Sequence, residues 1–128
     1  MPLVTITMLK GRSKEIKKSI LTEVHDALVK CFKIPNSDRY QRIIEIGPDN
    51  FEIPSDRTKQ CVTIELTVYP GRSLDAKRLL YKDIVERLEK LGIVSTDILI
   101  ILNEPPLENW GLRGVPASET TIGFKLDV

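Results

Sequence analysis

The sequence predicts an α+β fold in which two fused β-α-β units form a four-stranded sheet with two helices on one face. Three observations carry this reading. Gly-Arg-Ser closes an apolar segment and opens a helical one at residues 11–13, and does so again at 71–73, sixty positions later. The flanks repeat as well: VTITMLKGRS at 4–13 faces TIELTVYPGRS at 63–73, and FKIPNSD at 32–38 faces LGIVSTD at 91–97. One supersecondary unit is therefore written twice, in repeats of about 2–46 and 61–104, within a single expected domain spanning 1–128. No third helical segment is available to cover the second face of such a sheet, so self-association is expected to cover it.

The elements follow in order. Val4, Ile6 and Met8 alternate with Leu3, Thr5 and Thr7, which predicts a strand over 2–9. Gly11 and Arg12 turn the chain, and Ser13 is placed to cap a helix with Glu15 in its first turn. Ile16, Ile20, Val24, Ala27, Leu28 and Cys31 recur at helical spacing until Pro35 ends the pattern. RYQRIIEI at 39–46 reads as the second strand, and the Gly/Pro-punctuated 47–59 as the connector between copies.

The second copy repeats the plan. A strand over 61–69 buries Val62, Ile64, Leu66 and Val68, and Ser73 and Asp75 open a helix with Ala76, Leu80, Ile84, Leu88 and Leu91 inward. DILIILNE at 97–104 is almost continuously apolar and is expected to be a strand buried on both faces. The tail, 105–128, has no counterpart in the first half. Short strands are expected there near 110–115 and 120–125.

Composition narrows the classes. The chain is 41% hydrophobic and 29% charged, so a packed core is expected. A formal net charge of +1 gives no bulk drive toward nucleic acid or anionic membrane, and neither is expected as a partner. The longest apolar run, ILIIL at 98–102, cannot span a bilayer. Met1 leads directly into a strand pattern rather than a signal peptide, and a cytoplasmic location is expected. Cys31 and Cys61 lack metal-like spacing and read as small buried hydrophobes of a reducing compartment. No phosphate loop, nucleophile elbow or metal cluster is written in the sequence, and no cofactor or metal is expected. His25 has no acid, Ser or Cys partner at a useful spacing and reads as packing or solvated.

The copies differ most usefully at position 2, where proline stands against Val62 in the second half. An initiator Met before a small residue such as proline is normally removed, which would leave a secondary amine at the mouth of the first strand. Apolar walls or a neighbouring guanidinium can lower the pKa of such an amine toward neutrality and make it a proton carrier. Structurally, a proline at the first residue of a strand also needs no catalytic explanation.

An amino-terminal proline, an alternating strand and Gly-Arg-Ser before an amphipathic helix together resemble the tautomerase superfamily, whose members use an amino-terminal proline. Each half is similar to one short 4-oxalocrotonate tautomerase subunit. The doubled length, the IPNSDRYQ segment and the NWGLRGVPASETTIGFKLDV tail resemble the fused branch that includes malonate semialdehyde decarboxylase.

The resemblance implies Pro2, Arg72 and Asp38 as catalytic residues. Substrate binding is expected of Arg12, which the resemblance implies, and, from their residue types and places, of Arg39, Tyr69, Trp110 and Arg113. Arginines at the Gly-Arg turns would face the proline pocket and grip carboxylates with their planar fork. Arg72 matches one arginine of the decarboxylase's Arg-Pro-Arg motif, whereas Pro70 stands where the other would be. Asp38 matches that branch's acidic residue, although Asp97 occupies the same place in the second copy and both could simply close a turn. Tyr40 is expected to pack, and Trp110 to lie in core or interface.

The activity implied is proton transfer on a small 2-oxo acid or dienol, in a homotrimer that needs no cofactor and binds a small carboxylate-bearing substrate. A malonate-semialdehyde-decarboxylase-like decarboxylase or hydratase is the alternative. The order βαββαβ is also that of ferredoxin-like ligand-binding modules, which need no catalysis.

Overall fold

A computed structural model describes residues 2–128. Strand β1, Pro2–Leu9, leads through the Gly11-Arg12 turn into helix α1, Lys14–Phe32, and on to β2, Tyr40–Ile46. After the connector, β3, Val62–Val68, leads through the Gly71-Arg72 turn into α2, Leu74–Glu89, and on to β4, Ile98–Asn103. The strands run in the order β2-β1-β3-β4, with β1/β2 and β3/β4 parallel and the central β1/β3 pair antiparallel. The two β-α-β units that the repeat predicts therefore meet back to back along β1 and β3.

Both helices start where the sequence places them. The Ser13 hydroxyl accepts from the Ile16 amide and the Ser73 hydroxyl from the Ala76 amide, each satisfying one orphan N–H of a first turn. The helices pack on the sheet through Ile20, Val24, Leu28 and Phe32 from α1 and Ala76, Leu80, Ile84 and Leu88 from α2, against Val4, Ile6, Met8, Ile64 and Leu66. Both cysteines are buried and unpaired, and burial pushes their thiols up. His25 is buried with Nε2 2.9 Å from the Asn36 carbonyl oxygen, a packing histidine.

Three expectations are corrected. β4 is an edge strand whose residues alternate, with Leu99 and Ile101 each 39% exposed; only its helix-facing side is covered, so its apolar run does not signal burial on both faces. Tyr40 opens β2 and is exposed rather than packed, because it projects to the side of the sheet without helices. In the tail, β5, Gly111–Leu112, and β6, Val115–Pro116, form a small hairpin, but 120–125 is not a strand. That segment instead runs back over the Gly71-Arg72 turn. Phe124 and Leu126 pack into the cluster around Tyr69 and Trp110, and the Ser73 amide donates to the Val128 carbonyl at 2.9 Å.

Candidate active site

Pro2 heads β1, buried, and is paired on one side, with its neighbour Leu3 paired on both. It stands opposite Val68 of β3, while Leu3 stands opposite Tyr40 of β2. Register therefore brings the residues just before Tyr40, Asp38 and Arg39, and the residue just after Val68, Tyr69, to the same end of the sheet as Pro2. A backbone tied into two ladders has little freedom to wander, which suits a group whose position must be fixed. Met1, and with it the form of the Pro2 nitrogen, lies outside the described residues.

Tyr69 forms the apolar wall. It is 3% exposed and meets Trp110 edge to face with ring centroids 4.7 Å apart, while Phe124 stacks at 6.4 Å. Trp110 is held in turn by its indole N–H, which donates to the Pro105 carbonyl at 3.0 Å. Burial pushes the Tyr69 phenol up, and the nearby charge of Asp38 pushes it the same way. Asp38 is thus close enough to be felt by Tyr69. Its own amide closes the turn onto the Pro35 carbonyl at 3.0 Å.

Arg72 is the buried cation of this end, 5% exposed. Its Nη1 donates to the Tyr69 carbonyl at 3.2 Å and its Nη2 to the Phe32 carbonyl at 3.0 Å, with the Phe32 and Phe124 rings over it. Burial lowers its pKa, which the field of Glu104 partly opposes. Its Nε–H is buried without a hydrogen-bond partner among the described residues. A guanidinium N–H left without an acceptor in the interior is costly, so the position is one that an added oxygen would complete.

The remaining candidates divide. Arg39 is exposed and its Nη2 donates to the Thr22 hydroxyl at 3.3 Å, on the flank of α1. Arg113 sits exposed in the β5–β6 turn with a left-handed backbone, φ 53°. Arg12 is not brought to Pro2 within the chain. It follows the opposite end of β1, about 23 Å away at ~3.3 Å per residue, whereas the antiparallel pairing of β1 with β3 brings the second Gly-Arg turn, and Arg72, to the Pro2 end. Phe124 and Glu104 were not legible as site residues. The first stands near the end of a tail without a repeat partner, and the second is tied to Lys77 at 2.6 Å. Among the described residues, no group of three or more His, Cys, Asp and Glu is gathered to hold a metal, and no helix is long and apolar enough to cross a membrane.

This arrangement has known counterparts. Two family models described as tautomerase enzyme match residues 2–57 and 38–113. A probable tautomerase of Bacillus subtilis (strain 168), YrdN, is 33% identical over 117 residues, covering 86% of this chain and 89% of that protein. Among solved structures, malonate semialdehyde decarboxylase superposes with a TM-score of 0.80 at 27% identity, covering 91% of this chain and 94% of its own. A fused 4-OT solved as an asymmetric trimer shares the fold, with a TM-score of 0.79 at 19% identity and coverage of 91% and 96%. With a first strand headed by Pro2, a doubled β-α-β sheet and these matches along its length, the chain belongs to the tautomerase family.

Proposed function

We propose that the protein is a cofactor-independent isomerase that moves a proton on a small 2-oxo acid or dienol, with the Pro2 amine as general base. The observation that carries this reading is the place of Pro2, buried at the head of β1 opposite Val68, at the end of the sheet to which Tyr69, Arg72 and Asp38 also come. A neutral secondary amine there would take the proton alpha to the carbonyl and return it elsewhere on the conjugated system. Arg72, through its unpartnered Nε–H, would hold a carboxylate or enolate oxygen. The low-dielectric aromatic wall would strengthen that charge and disfavour protonated proline. Arg39 and Arg113, both exposed, would serve the outer end of the substrate.

A homotrimer in the cytoplasm is part of this proposal. The helix-free face of the sheet leaves Tyr40, Ile44, Leu99 and Ile101 exposed, a surface that a second copy can cover.

A second reading is favoured by one observation. The 27% identical structural relative is a malonate semialdehyde decarboxylase, and here Asp38 stands near Tyr69 at the Pro2 end. In that reading Pro2 stays protonated and polarises a carbonyl while Asp38 orients water in decarboxylation or hydration of a 3-oxo acid.

The test is the ketonisation of phenylenolpyruvate, followed by ultraviolet absorbance, for Met1-free protein against Pro2→Ala, with mass spectrometry confirming both termini. A rate that falls 100-fold or more, roughly the worth of a general base, supports the proposal. Equal or absent rates overturn it for this substrate class, and release of CO2 from malonate semialdehyde would then favour the second reading.

A further inference from the structure

The repeat places a second Gly-Arg turn at the far end of the sheet, and the structure treats it differently from the first. The tail covers Gly71: a Cβ there would meet Leu126 at 3.2 Å, and Arg72 beneath is 5% exposed. At Gly11 a Cβ would meet nothing within 4 Å. The uncovered turn opens onto a cavity of about 360 Å³ walled by Leu9, Lys10, Arg12, Pro48, Lys59 and Gln60. Three of these are cations and none is an acid.

The cations have few protein partners. Among the described residues Lys10, Arg12 and Lys59 form no ion pair, and Arg12 makes a single hydrogen bond, Nη2 to the Gln60 carbonyl. That contact fixes the side chain across the connector and leaves its other N–H groups for a ligand. Asp97, whose field reaches Arg12, does not line the cavity. Its two oxygens are taken by the Thr58 amide and hydroxyl. The half-buried guanidinium is partly desolvated, which strengthens its attraction for an anion.

We propose that this cavity is a second binding site, separate from the Pro2 site, for a small oxyanion of two or more negative charges. Arg12 grips one end with its planar fork, and Lys10 and Lys59 act as point charges on the other. A dicarboxylate and a phosphate-bearing metabolite share this chemistry. Val62, the counterpart of Pro2, offers no basic amine, so the site binds without proton transfer.

The test is a titration of the whole 15N-labelled protein with malonate and, separately, inorganic phosphate, at a constant ionic strength of about 0.15 M. The Gly11 and Gln60 amides report this cavity and the Trp110 indole N–H reports the Pro2 end. Saturable shifts of Gly11 and Gln60 are expected with a dissociation constant of about 1 mM. Arg12→Gln is expected to weaken them at least tenfold, as is the surface double variant Lys10→Gln/Lys59→Gln, which disturbs no hydrogen bond. Saturation by malonate alone identifies a dicarboxylate ligand, and saturation by phosphate alone a phosphate-bearing one. Linear shifts with both probes overturn the proposal, as does full-strength binding in the lysine double variant. An Arg12→Gln effect confined to Trp110 would also overturn it, by returning Arg12 to the Pro2 site of a neighbouring copy.

Discussion

The ring of Phe124 lies 5.7 Å from the guanidinium carbon of Arg72, and that of Phe32 lies 4.9 Å from it. The tail thus roofs the one arginine that is buried among the described residues. If a carboxylate must pass this roof to reach Nε, Phe124→Ala lowers KM for an enol 2-oxo acid several-fold with kcat little changed. The same variant loses about 1–2 kcal/mol of stability, since the ring is only half-buried. Steady-state kinetics with thermal unfolding decides, and an unchanged KM would leave Arg72 a purely structural cation.

Arg72 also holds two carbonyls from different elements, Phe32 at the end of α1 and Tyr69 after β3. Arg72→Met removes both donors inside the core. A loss of about 3 kcal/mol is expected, read as a lower urea midpoint at unchanged slope.

The proposed base and acid roles of Pro2 have opposite pH signatures. A neutral amine base loses activity as pH falls through its pKa, whereas a protonated proline loses it as pH rises. The kcat/KM profile for ketonisation is expected to have its proline limb on the acid side. A plateau in acid and loss in base would move the assignment to decarboxylation.

Asp97 predicts the acid limb of stability. Hydrogen bonds from the Thr58 hydroxyl and amide hold its carboxyl below the usual 3.8, outweighing the opposite effect of burial. Its stabilisation is present above 3.8 and is lost as pH falls through the lower folded value. Asp97→Asn is expected to cost about 2 kcal/mol at pH 7, and the gap from wild type should close in strong acid. Chemical denaturation at a series of pH values measures this, and a gap independent of pH would refute it.

The open face of the sheet predicts assembly. Ile44→Lys with Leu99→Asp places charges where neighbouring copies are proposed to meet. Light scattering should then give the mass of one chain, 14.5 kDa, in place of three times that value. An unchanged mass would put the interface elsewhere.

Much of the frame was legible because local chemistry determines it. Ser13 and Ser73 mark helix starts by what a hydroxyl does for orphan amides, and the Val4-Ile6-Met8 alternation marks the buried side of β1. β4 misleads because an apolar run reports what a strand could bury, not whether a neighbour exists to bury it. That Arg72 rather than Arg12 shares an end of the sheet with Pro2 needed the direction of β3 relative to β1, which a repeat cannot supply. Phe124 escaped notice for a related reason: nothing local in TTIGFKLDV says that it returns over Arg72.

The pairing of Pro2 with Val68 has a consequence for how such a chain can change. Loss of one residue within β1 would move the proline nitrogen along the sheet by about 3.3 Å. The same slip would turn Val4, Ile6 and Met8 out of the core and bring Leu3, Thr5 and Thr7 in. The reactive end and the hydrophobic interior are written in one reading frame of the strand, so a frame error there abolishes both at once. Substitutions can retune this protein gradually, whereas a change of length is better absorbed in the connector at 47–59, which carries no strand register.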